Sequence, residues 1–328
     1  MTTSLPALVS DPAGGELATS FGLVVPFVPR RMSAQEAAEE FFASQISNEH
    51  TRSNYLRDVR QFASWCAGRG LTLHAITPVD VSAYRDQLLA DKKATTTVKR
   101  HLSALRMLFS YLVATGAMAY NPAREVKTPT IRRTGGKTPA FQPSQVRALF
   151  DGFDTSKLID LRDRAFLGTM AYTFCRVSAA CRLTVGDYVD LGEERFIRLH
   201  EKGGVEREIV CHPILPVYLD AWIRAAGLKG SDPLFPTFIG PKHDELSEQP
   251  MSRHKALQMV KRRLARVELS HLFTNHSFRA TGITTFLENG GDLKTAQNIA
   301  GHADSRTTEG YDRRATRVKL SEIARVTY

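Results

Sequence analysis

The sequence predicts a mainly α-helical chain of two domains, the first all-helical and the second mostly helical with one small antiparallel sheet. Three observations lead there. At 328 residues the chain is about twice the usual size of one domain. Apolar residues recur at helical spacing through most of 33–116 and 138–302. Two short segments, RFIRLH and REIVCH, read instead as strands, and EKGGVE between them supplies Gly203 and Gly204 for a hairpin turn.

Residues 1–31 are rich in Gly, Pro, Ser and Thr without either periodicity, so they read as a disordered arm. They lack the basic start and unbroken apolar run of a signal peptide, and FGLVVPFV is too short to span a bilayer and carries Pro26. The first domain is expected over 32–118. In TRSNYLRDVRQFASWCAGRG, Tyr55, Val59, Phe62 and Cys66 keep helical spacing, with Thr51 as N-cap and Gly68 or Gly70 as the stop. TPVD opens the next helix, with Thr77 as cap, Pro78 in the first helical position and Asp80 in the first turn. A third helix lies in TTTVKRHLSALRMLFSYLVATG, where Val98, Leu102, Leu105, Phe109 and Leu112 form one stripe. Lys99, Arg100 and Arg106 lie largely off it, either as a solvated face or as a face for phosphates.

Residues 119–137 read as a linker. Prolines and glycines break any helix there, and Arg124, Lys127, Arg132, Arg133 and Lys137 outnumber Glu125, a charge that helps a segment track DNA. The second domain, 138–328, has helices in FQPSQVRALF, LIDLRDRAFLGTMAYTF, HPILPVYLDAWIRAAG, MSRHKALQMVKRRLARVEL, NHSFRATGITTFLENGG and DLKTAQNIAGH. Of these, MSRHKALQMVKRRLARVEL carries Arg253, Lys255, Lys261, Arg262, Arg263 and Arg266, for which a solvated face is the usual explanation and phosphate contacts, with base readout from the same helix, the one expected of a DNA enzyme.

The formal net charge of +10 favours an anionic partner, nucleic acid above all. Cys66, Cys175, Cys181 and Cys211 show no CxxC spacing, so a reduced, cytoplasmic protein is expected. Cys211 beside His212 has no partner pair, and no metal is expected.

His276 and Arg279 in HSFR fall on one face of a helix, three residues apart. Guanidinium binds phosphate oxygens in pairs and imidazole handles a proton near neutral pH, a combination suited to a phosphodiester. Such a pair is common by chance. It gains weight as part of an ordered set of Arg176, Lys202, His276, Arg279, His302 and Tyr311, in CRVSAACRLTVGDY, EKGG, HSFRATGITTFLENGGDLKTAQNIAGH and TTEGYDRR.

In that order and spacing the chain resembles the tyrosine recombinases of the phage integrase and Xer type, over nearly its whole length. The resemblance implies a helical, SAM-like core-binding domain ahead of a catalytic tyrosine-recombinase domain. It implies a site-specific recombinase that cleaves and rejoins duplex DNA through a 3′-phosphotyrosine, which conserves the phosphodiester energy without ATP. Tyr311 is then the nucleophile, its phenol needing help because its ordinary pKa is about 10. Arg176 and Arg279 clamp the two non-bridging oxygens, and His276 manages the tyrosine proton. His302 donates to the phosphate, and Lys202 protonates the departing 5′ oxygen. The guanidiniums fill the electrostatic role of magnesium in many nucleases, so neither metal nor cofactor is expected. The partners implied are duplex recombination sites and a synapse of four protomers, with the tail residues Val318, Leu320, Ile323 and Val326 docking on a neighbour.

Two positions depart from the family pattern. Thr173-Phe174 stands where Thr-Gly is usual before the first arginine, and Ala179 stands where an acidic residue usually follows, so a supporting carboxylate is lacking. A type IB topoisomerase-like enzyme and a DNA-binding regulator without activity remain as rival readings.

Overall fold

The computed structural model describes residues 41–130, 138–200, 206–240, 245–302 and 304–312. The expected arm at 1–31, the Gly203-Gly204 turn, Lys137, Arg132, Arg133, Lys202 and the tail after Asp312 lie outside them. The chain divides into two compact units, Met1–Arg132 and Arg133–Tyr328.

The described part of the first unit is helical, with α1 (Glu49–Ala67), α2 (Pro78–Ala90) and α3 (Thr95–Ala114). Its core gathers Phe42, Phe62, Tyr84, Leu102, Leu105 and Phe109. The expected stripe of α3 is thus the buried one, with Leu112 packed at its edge. The cap of α1 is Asn48, not Thr51: Asn48 Oδ1 accepts the Thr51 N–H at 3.1 Å, so Thr51 is the residue being capped. The helix starts at Glu49, three residues earlier than a cap at Thr51 would set it, because asparagine offers that acceptor and Glu49 suits the first turn. At α2 the expected chemistry holds: Thr77 and Asp80 form a reciprocal capping box, with Pro78 just inside.

The second unit is built around α5 (Leu158–Thr173), which follows α4 (Pro143–Asp151). Phe166, Leu167 and Met170 of α5 are fully buried in one cluster with Leu215, Leu219 and Trp222 of α7 (Ile214–Ala226) and Met259, Val260 and Leu264 of α8 (Arg253–Arg266). Between α5 and α7 come the short α6 (Val177–Ala180) and an antiparallel sheet of β1 (Tyr188–Asp190), β2 (Arg195–His200) and β3 (Glu206–Val210). The register pairs Tyr188 with Ile197 and Leu199 with Arg207.

Two features exceed the expected single hairpin. β1 adds a third strand, too short to show alternation, and a second antiparallel pair joins β4 (Pro236–Ile239) to β5 (Glu245–Pro250). The sequence of β5, ELSEQP, has one apolar residue, so its pairing comes from the backbone of β4 rather than from a buried face. The last elements among the described residues are α9 (Asn275–Glu288), α10 (Leu293–Ala300) and α11 (Ser305–Glu309). Contacts of α9 with α5 and of α10 with α9 and α11 bring the last described helices back against α5. Among the described residues no helix is long and apolar enough to cross a membrane.

Candidate active site

Tyr311 follows α11 by two residues and is buried, at 9% exposure. Its backbone is fixed on both sides: its N–H donates to Thr308 O at 2.9 Å, and Thr284 Oγ on α9 donates to its carbonyl at 3.2 Å. Its hydroxyl lies 2.8 Å from His276 Nε2, in the first turn of α9. With the phenol protonated, the O–H is the donor and the imidazole the acceptor. On its other side Tyr311 stacks on His302, the rings 5.9 Å apart and inclined by 5°. His302 Nδ1 lies 2.9 Å from Thr308 Oγ, which fixes one ring nitrogen and leaves Nε2 for a ligand.

Arg279, one turn along α9 from His276, is 1% exposed and spans two helix ends. One terminal nitrogen donates to Phe174 O at the end of α5, and Nη2 donates to Ala300 O at the end of α10, at 2.6 Å. Helix C-termini are the negative ends of the peptide dipoles, so both carbonyls are favourable seats for the guanidinium. Arg176, half-buried, is the N-cap of α6, two residues beyond Phe174.

Phe174 explains one departure from the family pattern. It is left-handed, φ +52 and ψ 22, and ends α5. Glycine takes that conformation freely, whereas an L side chain there costs about 1–2 kcal/mol. The ring offsets this by burial with Ile283, Leu287, Ala300 and Tyr311, and it packs edge-on to Phe286 at 6.1 Å. Gly282 makes the room: a Cβ there would stand 2.4 Å from both Ala171 O and the Phe174 ring. At the other departure, Ala179 is buried among apolar neighbours.

These groups shift one another. Desolvation lowers the His302 pKa to about 4, helped by the charges of Arg279, Arg176, His276 and Arg207. His276 is lowered too, by desolvation of the ring and then by Arg279 and Arg176, although the residue as a whole is exposed. Burial raises Tyr311, against the downward pull of the same two arginines. At neutral pH both imidazoles are therefore neutral and the phenol protonated, so His276 Nε2 stands ready to accept the proton it already contacts.

Residues 140–317 match the phage integrase family, and residues 40–116 match the phage integrase N-terminal SAM-like domain. The chain belongs to the phage integrase family. It is a tyrosine-type recombinase. Similar proteins include the tyrosine recombinase XerC of Mycobacterium tuberculosis, 30% identical over 83% of this chain and 91% of that one. The tyrosine recombinase XerD of Shewanella oneidensis is 27% identical over 87% and 92%. Among solved structures, XerH bound to a palindromic difH substrate superposes with a TM-score of 0.70 at 17% identity, covering 90% of this chain and 85% of that one. A lambda integrase tetramer bound to a Holliday junction gives 0.63 at 19% identity, covering 83% and 76%.

Of the residues expected in the integrase site, His276, Arg279, His302 and Tyr311 come together with Arg176 close enough to act on both imidazoles and the phenol, while Lys202 lies outside the described residues. Thr308, Thr284 and the carbonyl of Phe174 were not legible as site groups. The nearest signal for Thr308 is its place three residues before Tyr311 in TTEGY, and the other two carry none.

The basic candidates divide. Arg263 is corrected: it is 4% exposed and binds Asp160 and Asp163 at 2.7 Å each, a buried ion pair unable to turn toward a phosphate. Arg100 is likewise committed to Asp58, through bonds of 2.6 and 2.9 Å. Arg106 donates to the carbonyls of Ala123, at 3.1 Å, and Val126, at 2.5 Å, and so closes the first unit on itself. Lys261 is spent on the carbonyls of His271 and Phe273. Arg253, Lys255 and Arg262 stay on the exposed face of α8, and Lys99 is half-buried on α3. Arg132 and Arg133 are outside the described residues.

Proposed function

We propose that this protein is a site-specific DNA recombinase that breaks and rejoins strands through a phosphotyrosine on Tyr311. The observation that carries the reading is the 2.8 Å contact between the Tyr311 hydroxyl and a neutral His276, beside the buried Arg279. As the phenol oxygen bonds to phosphorus, its proton passes to His276 Nε2. Arg176 and Arg279 take up the charge growing on the non-bridging oxygens. His302, accepting from Thr308 at Nδ1, keeps its ring proton on Nε2 and hydrogen-bonds through it to one of those oxygens. The bond from phosphorus to the 5′ oxygen breaks, and Lys202, between β2 and β3 in the sequence, supplies that oxygen with a proton. Rejoining is the reverse, with a 5′ hydroxyl attacking and the phenol leaving, so no bond energy is lost to water.

Duplex DNA is the partner this chemistry requires, and the exposed Arg253, Lys255 and Arg262 on α8, with Lys99 on α3, are its phosphate and base contacts. The lambda integrase tetramer on a Holliday junction supports a synapse of four protomers here as well. A protein of this kind works at the nucleoid in the cytoplasm. Residues 32–118 act as the core-binding domain, 119–137 as the basic linker and 138–328 as the catalytic domain.

Tyr311→Phe tests the reading. It keeps site binding in a gel shift and forms no covalent adduct on a denaturing gel, whereas an adduct from the variant assigns the nucleophile elsewhere. A nicked suicide substrate separates the rivals, since a recombinase pairs two specific sites, a topoisomerase relaxes one duplex and a regulator traps nothing.

A further inference from the structure

A helix C-terminus leaves its last carbonyls without helical partners, and at α10 two arginines from different elements take them up. The backbone closes part of the end itself. Gln297 O accepts the His302 N–H and Asn298 O that of Gly301, both at 3.1 Å, with Gly301 left-handed at φ +59. Arg279 takes Ala300 O. Arg207, on β3, takes the remaining Ile299 O and shares Asn298 O: its Nη1 donates to Ile299 O at 2.5 Å and to Asn298 O at 2.8 Å. Both positive groups stand at the negative end of the helix dipole.

The residue that leaves this end is His302. Arg207 fits the corner so closely that a Cβ on Gly301 would stand 2.7 Å from its guanidinium carbon. The glycine is therefore required twice, for its conformation and for the approach of Arg207. We infer that Arg207 is a positioning residue for His302, fixing the carbonyls of Asn298 and Ile299 so that the chain turns at Gly301 and sets the imidazole against Tyr311. The inference rests on the reading of His302 as a phosphate ligand. It reaches across 91 and 92 positions of sequence, and its charge also falls on the imidazole it places.

The test is a double-mutant comparison on the full chain. Arg207→Gln keeps a side chain of polar character but loses the charge and the fork of donors. It is expected to bind a DNA site within about twofold of wild type yet cleave it about tenfold more slowly or worse, since a small misplacement of a reacting group has effects of that size. In a His302→Gln background the same change is expected to cost less than about twofold, because the residue it positions is gone. A full tenfold loss in that background overturns the inference, and so does recovery of Arg207→Gln on DNA with sulfur at the 5′ bridging position, which would assign the loss to Lys202. If Arg207→Gln does not fold, Arg207→Lys carries the comparison, with an intermediate loss expected and the same cancellation in the His302→Gln background. An NMR titration of the His302 ring stands apart from catalysis: its midpoint rises by about half a pH unit or more in the Arg207 variant, and an unchanged midpoint refutes the placement. A wild-type protein that forms no adduct would sink the recombinase reading, while the titration would still decide the role of Arg207.

Discussion

His302 makes the DNA-free protein acid-sensitive, with a magnitude that follows from its surroundings. Its pKa falls from an ordinary 6.5 to about 4, first because the ring is desolvated and then because Arg279 and Arg176 repel a third positive charge. Between those two values the unfolded chain binds a proton at this residue and the folded chain does not. Stability therefore rises with pH through this window and is lost as the pH falls from about 6.5 toward 4. At about 1.4 kcal/mol per pH unit the loss is on the order of 3 kcal/mol, a large part of the stability of an ordinary domain. The comparison is wild type against His302→Gln, which cannot titrate but can still meet Thr308. Both carry Trp65→Phe, so that the buried Trp222 alone reports unfolding of the second unit. Urea titrations from pH 7.5 to 4 are expected to show the two proteins converging on acidification, as the wild type loses about 3 kcal/mol relative to the variant. Other groups titrate in both and cancel. A bound phosphodiester offsets the guanidinium charge, so added DNA is expected to flatten the slope. Parallel curves would refute the reasoning, since they would mean that the His302 ring is as easily protonated in the folded protein as in the unfolded one.

Gly282→Ala forces a methyl group against Ala171 O and the Phe174 ring, each 2.4 Å from the new carbon. Thermal unfolding and cleavage assays are expected to show a loss of roughly 1–3 kcal/mol and slower cleavage, with site binding less affected. Arg263→Ala leaves Asp163 to Arg162 and Asp160 to the 3.6 Å contact with Arg266, and is expected to cost about 1–3 kcal/mol in chemical unfolding. Arg262→Ala, on the exposed face of the same helix, is expected to leave stability within about 0.5 kcal/mol and to lower the salt slope of DNA binding by about one. Lys202→Ala is expected to slow cleavage of ordinary DNA by a factor on the order of 10². It should recover on a 5′ bridging sulfur substrate, whose thiolate leaves without a proton; equal defects on both would move the acid role to another residue.

What the sequence determined by itself is what a few neighbouring residues can encode. The buried stripe of α3 and the Thr77–Asp80 capping box are local, because helical periodicity and cap chemistry act within one or two turns. The ordered set from Arg176 to Tyr311 was legible for another reason, since each member sits in its own short motif and the order along the chain is visible without any fold. Tertiary structure alone decided which charges are free. Arg262 and Arg263 are adjacent in sequence, yet one is exposed while the other is paired with Asp163 from 100 positions away. Arg100 meets Asp58 across 42 positions, and Arg207 meets the end of α10 across more than 90. Nothing local to a guanidinium distinguishes a phosphate ligand from a buried partner of a carboxylate, because the distinction lies in what the fold packs against it. The carbonyls of Phe174 and Ala300 carry the same lesson: every residue has a carbonyl, and only the meeting of α9 with the ends of α5 and α10 made these two the seat of Arg279.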